Sequence, residues 1–336
     1  MYSRRSNHPK FDKRRFTRSP KVAAILLGFG FTLWIGTMTS YSQIPPPQTI
    51  LDKTGIVAPD ASVEKSSDGY AFTEGPTADA NGNVFFTDQP NDRILRWDAK
   101  TAQTTDWLKP AGRSNGMFFD HRGDLWSCAD GKNELWKIAP DRSVSVVLRD
   151  VNGRLFNGPN DVWVMPDGSG CYFTDPYYHR DYWERGDRDA SESPQVLYWL
   201  PAGATEPIIA DDQLVQPNGL VGTPDGKTLY VADIGDKKTY RYRINHDGTL
   251  GERTLFCEMG SDGMTIDELG NVYLTGPGVV VFNSDGRKIA HIPIPNESWT
   301  ANVCFGGTDF KTLFVTASHG AYTLRMNVAG IRPSNP

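Results

Sequence analysis

One short grammar recurs six times along this 336-residue chain. A turn built on Asp, Asn or Gly leads into a run of β-branched and aromatic residues, then a short loop, then a second such run. The first copy reads Ala80-Asn81-Gly82-Asn83-Val84-Phe85-Phe86-Thr87-Asp88 followed by Arg93-Ile94-Leu95-Arg96-Trp97. The fourth reads Pro224-Asp225-Gly226-Lys227-Thr228-Leu229-Tyr230-Val231-Ala232-Asp233 followed by Thr239-Tyr240-Arg241-Tyr242-Arg243-Ile244. Turn residues of this kind supply positive φ and side-chain caps, and the runs after them have strand composition. The anchor glycines Gly82, Gly123, Gly168, Gly226 and Gly270 lie 41, 45, 58 and 44 residues apart. That period is one four-stranded propeller blade, with one copy lengthened. No window carries sustained helical periodicity. The pattern predicts an all-β, six-bladed β-propeller over residues 66–330, closed on itself so that no long sheet edge is exposed. The extra length falls at 176–193, PYYHRDYWERGDRDASES, an aromatic and charged stretch suited to a lid or rim loop.

Charge divides the chain. Residues 1–21 hold eight of its 35 basic residues and one of its 40 acidic ones, and residues 22–42 hold neither, so the net charge falls from −5 to −12 once 1–42 is set aside. An acidic body lacks the footprint that displaces counterions from phosphates, which excludes nucleic acid as a partner. The basic run precedes the uncharged Val22–Gly36 segment, the form of a secretory signal and short for a membrane span. Residues 1–42 are thus expected to be an export signal, either cleaved near Ser40-Tyr41-Ser42 or retained as an anchor. The body is then periplasmic or secreted, with no membrane contact beyond that segment. Residues 43–65, with Pro45-Pro46-Pro47, read as a linker or extended strap. Four cysteines at spacings of 43, 86 and 47 match no zinc or redox motif.

Chemistry has to come from side chains pointing into the channel. Gly112-Arg113-Ser114-Asn115-Gly116 fits G-x-S-x-G, but that elbow needs a strand before it and a helix after it. Here it runs straight into Met117-Phe118-Phe119, so it reads as an inter-blade turn and Ser114 as no nucleophile. The histidines show no metal-ligand spacing. A second recurring element precedes the innermost strands: Thr73-Glu74-Gly75-Pro76, Gly158-Pro159-Asn160-Asp161, Gln216-Pro217-Asn218-Gly219, Ser261-Asp262-Gly263 and Ala301-Asn302-Val303. Innermost strands converge on one mouth, so Glu74, Asn160, Asn218, Asp262 and Asn302 would form a ring of carboxylate and amide oxygens. Without His or Cys, that ring suits one hard divalent cation, Ca²⁺ above all, with Mg²⁺, Mn²⁺ or Zn²⁺ as alternatives. Asn218 and Asp262 each precede glycine, which is also the signature of an ordinary turn.

Together with Phe173-Thr174-Asp175-Pro176 and Asn302-Val303-Cys304-Phe305-Gly306-Gly307, these elements resemble the SMP-30/gluconolactonase/LRE family, in particular its bacterial gluconolactonase branch. The resemblance covers the body from about 66 to 326. It implies a metal-dependent lactonase opening a sugar lactone such as gluconolactone, a small-molecule substrate. It puts the metal on Glu74, Asn218 and Asp262, with Asn160 either a further ligand or a residue holding water or substrate, and makes Asp262 the general base. Asn302 is expected to face substrate. Asp175 is either a hydroxyl-binding residue or a structural cap. Ca²⁺ as Lewis acid with a carboxylate base is sufficient chemistry for an activated cyclic ester. The alternatives are an esterase or phosphotriesterase at the same site, a quinone-dependent sugar dehydrogenase, or a propeller that only binds. Oligomeric state is not encoded in any motif.

Overall fold

The computed structural model describes residues 49–179 and 194–333. The expected export segment, the three prolines and most of the 176–193 insertion lie outside the described residues. Among the described residues there is no helix, and so none long and apolar enough to cross a membrane. The strands form six antiparallel sheets arranged as blades, plus a two-stranded hairpin, Asp150–Val151 with Arg154–Leu155.

The innermost strands of blades 1 to 6 are Thr73–Ala78, Ser114–Phe119, Val162–Val164, Pro217–Gly222, Met264–Ile266 and Thr300–Gly306. Each packs on the next, and the sixth packs on the first, so the ring is closed. The repeated runs seen in sequence are the second and third strands of each blade. Val84–Asp88 and Val272–Gly276 are buried at every residue, because neighbouring blades cover both faces of these strands. Aromatic side chains fill the spaces between blades. Between blades 3 and 4, Tyr172 lies 4.5 Å from Trp199, and its hydroxyl donates to Gly248 O at 2.7 Å. Burying a large apolar side chain of this kind contributes about 1.5–3 kcal/mol.

The strap expected at 43–65 is partly built into the sheets. Leu51–Asp52 pairs with Lys288–Ile292 as a fifth strand on blade 5. The Asp52 carboxylate accepts the N–H groups of Thr54, Gly55 and Val57, which turns the chain back toward the ring. Glu64–Asp68 then supplies the outermost strand of blade 6, with Glu64 opposite Thr323. The first strand of the ring thus begins at Glu64 and belongs to the last blade. All four cysteines are buried and free, and burial raises their thiol pKa values.

A recurring aspartate fastens the blades. Asp88, Asp175 and Asp233 each end a second strand. Asp88 Oδ1 accepts the N–H groups of Ala71 and Phe72 at 3.0 and 3.3 Å. Asp233 accepts those of Val215 and Gln216 at 2.7 and 2.9 Å. Asp175 does the same for Asn157 and Gly158 at 3.0 and 2.8 Å, and is 1% exposed. Of the two roles expected for Asp175, hydroxyl binder or structural cap, this geometry supports the cap: both oxygens accept from the loop that leads into blade 3.

Candidate functional site

The residues proposed from sequence do converge at one channel mouth. Glu74 and Asn218 are second residues of their inner strands, Asn302 is the third of its own, and Asn160 and Asp262 stand two residues before theirs. Gly219 and Gly263 are not turn glycines, since neither has positive φ. A Cβ on Gly219 would lie 2.8 Å from Asp262 O, and one on Gly263 would overlap the Asn302 side chain. Gly219 and Gly263 are there because the next blade's ring residue approaches so closely, which removes the ordinary-turn explanation of these two pairs.

Two hydrogen-bonded groups make up the ring. Asn218 Nδ2 donates to Asp262 Oδ1 at 2.8 Å, and Trp299 Nε1 donates to Asp262 Oδ2 at 2.6 Å, so both oxygens of this partly buried carboxylate are oriented. Asn218 Nδ2 also lies 2.7 Å from the Tyr178 hydroxyl. Across the mouth, Asn302 Nδ2 donates to Glu74 Oε2 at 3.2 Å and reaches Asp161 Oδ2 at 3.5 Å, while its Oδ1 accepts the N–H of Val303. Asn302 is thus a clamp between carboxylates. Both ends of its amide are engaged within the ring, and the residue also lines the channel cavity, where substrate contact was expected of it. Asn160 is 4% exposed, and its backbone joins blades 2 and 3: its O accepts from Gly116 N at 2.7 Å.

Sequence reading passed over three contributors. Asp161, quoted beside Asn160 but given no role, is buried, and its carboxyl is held well above the usual carboxylate range by burial first, then by the like charges of Glu74 and Asp262. Trp299 lay in a loop with no repeat signature. Asn115 lay within the G-x-S-x-G match. Ser114 itself is 1% exposed, donates to Ala111 O and accepts from Ser127 Oγ, both at 2.6 Å, which is a strand-start hydrogen bond and not a nucleophile's arrangement.

The donor set fits a hard cation. Asn218 is fully buried, and its Oδ1 has no hydrogen-bond partner, a costly state for an acceptor unless something else takes its lone pairs. Three carboxylates interact there with like charge. Among the described residues, no three His, Cys, Asp or Glu side chains stand where they could hold an ion, so a cation here would have to draw on amide oxygens as well. Tyr178 and Trp299 flank the ring on its outer side. On the inner side, a channel cavity of about 200 Å³ runs from Asp161 and Asn302 to Asp120, His121 and the C-terminal Ile331 and Arg332.

Residues 72–319 match the SMP-30/Gluconolactonase/LRE-like region. The chain belongs to this family. Its members' likeness extends along nearly the whole molecule. A gluconolactonase of Zymomonas mobilis is 30% identical, over 88% of this chain and 88% of its own. The structure of a gluconolactonase from Xanthomonas campestris superposes with a TM-score of 0.76 at 26% identity, over 84% of this chain and 96% of its own. Regucalcin from Agrobacterium tumefaciens, described as a calcium-binding protein, superposes with a TM-score of 0.67 at 17% identity, over 83% of this chain and 98% of its own, a likeness of fold alone.

Proposed function

We propose that this enzyme, a lactone hydrolase of the family, opens a sugar lactone such as gluconolactone with the help of one divalent cation, Ca²⁺ in the first place, at the mouth ring. Glu74, Asn218 and Asp262 would hold the ion, with Asn160 beside them. When bound, such an ion polarises the lactone carbonyl as a Lewis acid. The chain does the rest. Asp262, as general base, takes a proton from the water that adds to the carbonyl carbon. The ring C–O bond then breaks, and the proton passes to the departing alkoxide. Asn218 and Trp299 fix the orientation of the Asp262 carboxylate before substrate arrives, so little reorganisation is left for the reaction. Clamped by Asn302, Glu74 stays in place against the repulsion of Asp161.

The observation that carries this reading is the pairing of an oriented Asp262 with a buried, unpartnered Asn218 Oδ1. Proton release from a panel of sugar lactones, aryl esters and phosphotriesters, without an electron acceptor and with EDTA and Ca²⁺ additions, tests it. Sugar lactones should be hydrolysed fastest, EDTA should abolish turnover, and Ca²⁺ should restore it. Full activity in EDTA would overturn the metal assignment, and a preference for phosphotriesters the substrate assignment. The export reading of residues 1–42 places the enzyme in the periplasm or outside the cell. N-terminal sequencing of the native protein should find a start near Gln43, and a cytosolic chain starting at Met1 would reject it.

A further inference from the structure

Blade 2 supplies an oxygen that the sequence-derived ring lacks. Asn115 is the second residue of Ser114–Phe119, as Glu74 and Asn218 are of their own inner strands. In all three blades the pairing to the second strand shifts register at this point: between Glu74 and Thr77, between Ser114 and Met117, and between Pro217 and Leu220. A bulge of this kind breaks the in-and-out alternation and re-aims a side chain. Asn115 is 2% exposed, and its Oδ1 is buried with no hydrogen-bond partner. Among the described residues, the one other asparagine in that state is Asn218. Native folds leave few buried acceptors without a donor, and the ones they leave call for an explanation. The Gly116 N–H donates to Asn160 O, which fixes the start of this strand against the ring residue of blade 3.

Blades 1 to 5 therefore present oxygen-bearing side chains in unbroken order: Glu74, Asn115, Asn160, Asn218 and Asp262. Blade 6 departs from the series, its Asn302 amide being engaged as the clamp. We propose that Asn115 belongs to the cation site and binds the ion through Oδ1. The proposal rests on the metal-dependent reading above and deepens it. Four chain oxygens, or five with Asn160, two of them from carboxylates, are many for Mg²⁺, which keeps several waters in a strict octahedron. They suit Ca²⁺, which takes six to eight oxygen ligands in flexible geometry.

The test uses the full chain, stripped with EDTA and desalted, titrated calorimetrically with CaCl₂ alone. Thermal melts are run in EDTA and in Ca²⁺. Asn115→Leu should bind Ca²⁺ about 10–100-fold more weakly, the usual range for loss of a supporting metal-site group. Its melting temperature in EDTA should not fall, because the substitution removes an unpartnered acceptor, whereas the Ca²⁺-induced rise seen in wild type should shrink. Asn115→Asp keeps an oxygen at the same reach and should bind Ca²⁺ at least as tightly as wild type. Asn115→Ser, too short to reach, gives the same comparison as the leucine variant if that variant does not fold. Wild-type Ca²⁺ affinity in Asn115→Leu or Asn115→Ser overturns this inference alone. Equal loss of melting temperature in EDTA and in Ca²⁺ does the same, by showing a purely structural role. A wild-type protein that binds no Ca²⁺ overturns the inference together with the metal reading beneath it.

Discussion

Replacing Asp262 by asparagine separates holding the ion from moving the proton. The carboxylate accepts from Asn218 Nδ2 through Oδ1 and from Trp299 Nε1 through Oδ2. An amide in its place can accept at only one of these points and sets its own NH₂ against the other donor. The local repair is an Asn218 flip, which turns the unpartnered Asn218 Oδ1 toward the new amide and its Nδ2 toward the cation position. Ca²⁺ affinity should therefore fall for two reasons, the lost charge and the flipped amide, but excess Ca²⁺ should still fill the site. Turnover at saturating Ca²⁺ should remain about 10²–10⁴-fold below wild type, the usual contribution of a general base, or about 2.7–5.5 kcal/mol on the barrier. In EDTA the variant should melt no lower than wild type, because the substitution relieves the like-charge interaction of Asp262 with buried Asp161. Proton release on a pH-stat at rising Ca²⁺, alongside calorimetric Ca²⁺ titration, gives both numbers. If excess Ca²⁺ brings Asp262→Asn to within a few-fold of wild-type turnover, the base is another group and the mechanism argued from this geometry is wrong.

Glu74→Gln should weaken Ca²⁺ binding while turnover at saturating Ca²⁺ recovers most of its wild-type value, since no proton-transfer role is removed; a loss that excess Ca²⁺ cannot restore would contradict this. Asp175→Ala leaves the buried N–H groups of Asn157 and Gly158 without their acceptor and should cost about 1–3 kcal/mol of stability by denaturant unfolding. The KM for lactone should stay unchanged, whereas a raised KM at unaltered stability would return Asp175 to substrate binding. The Cys257 thiol is pushed up to about 11 by burial, and all four cysteines are buried, so a thiol reagent at pH 8 should label none in the native protein and four after denaturation. Rapid labelling of one in native protein would show an opening absent from this fold.

The scaffold was legible because it repeats, and the site was harder to read because it does not. Gly82, Gly123, Gly168, Gly226 and Gly270 mark the blades at regular spacing, and each does the same turn-making work. Asp88, Asp175 and Asp233 also recur at one place in three copies. That recurrence marks them as fasteners, but the hydrogen bonds joining Asp175 to residues 157–158 become visible only once the chain folds back. At the ring position the residue type changes from blade to blade, Glu, Asn, Asn, Asn, Asp, Asn, so no repeated residue announces it. Asn115 could have been found by asking which residue of blade 2 occupies the place of Asn218-Gly219, since Asn115-Gly116 repeats that pair. The G-x-S-x-G match drew attention to Ser114 instead. The closing strand, Glu64-Lys65-Ser66-Ser67-Asp68, carries no apolar alternation, and its role depends on a partner more than 250 residues away.

That partnership makes the molecule a bracelet with a clasp. Glu64 lies opposite Thr323, so no ribosome can finish the ring until residue 323 has emerged. Bringing the two ends together costs about 5 kcal/mol of loop-closure entropy for a separation of this size, and pairings so distant in sequence form slowly. The closing strand is polar and half in solvent, so it returns little by burial and holds chiefly through its backbone ladder. If the bracelet ever springs, it springs there, between two segments made more than 250 residues apart.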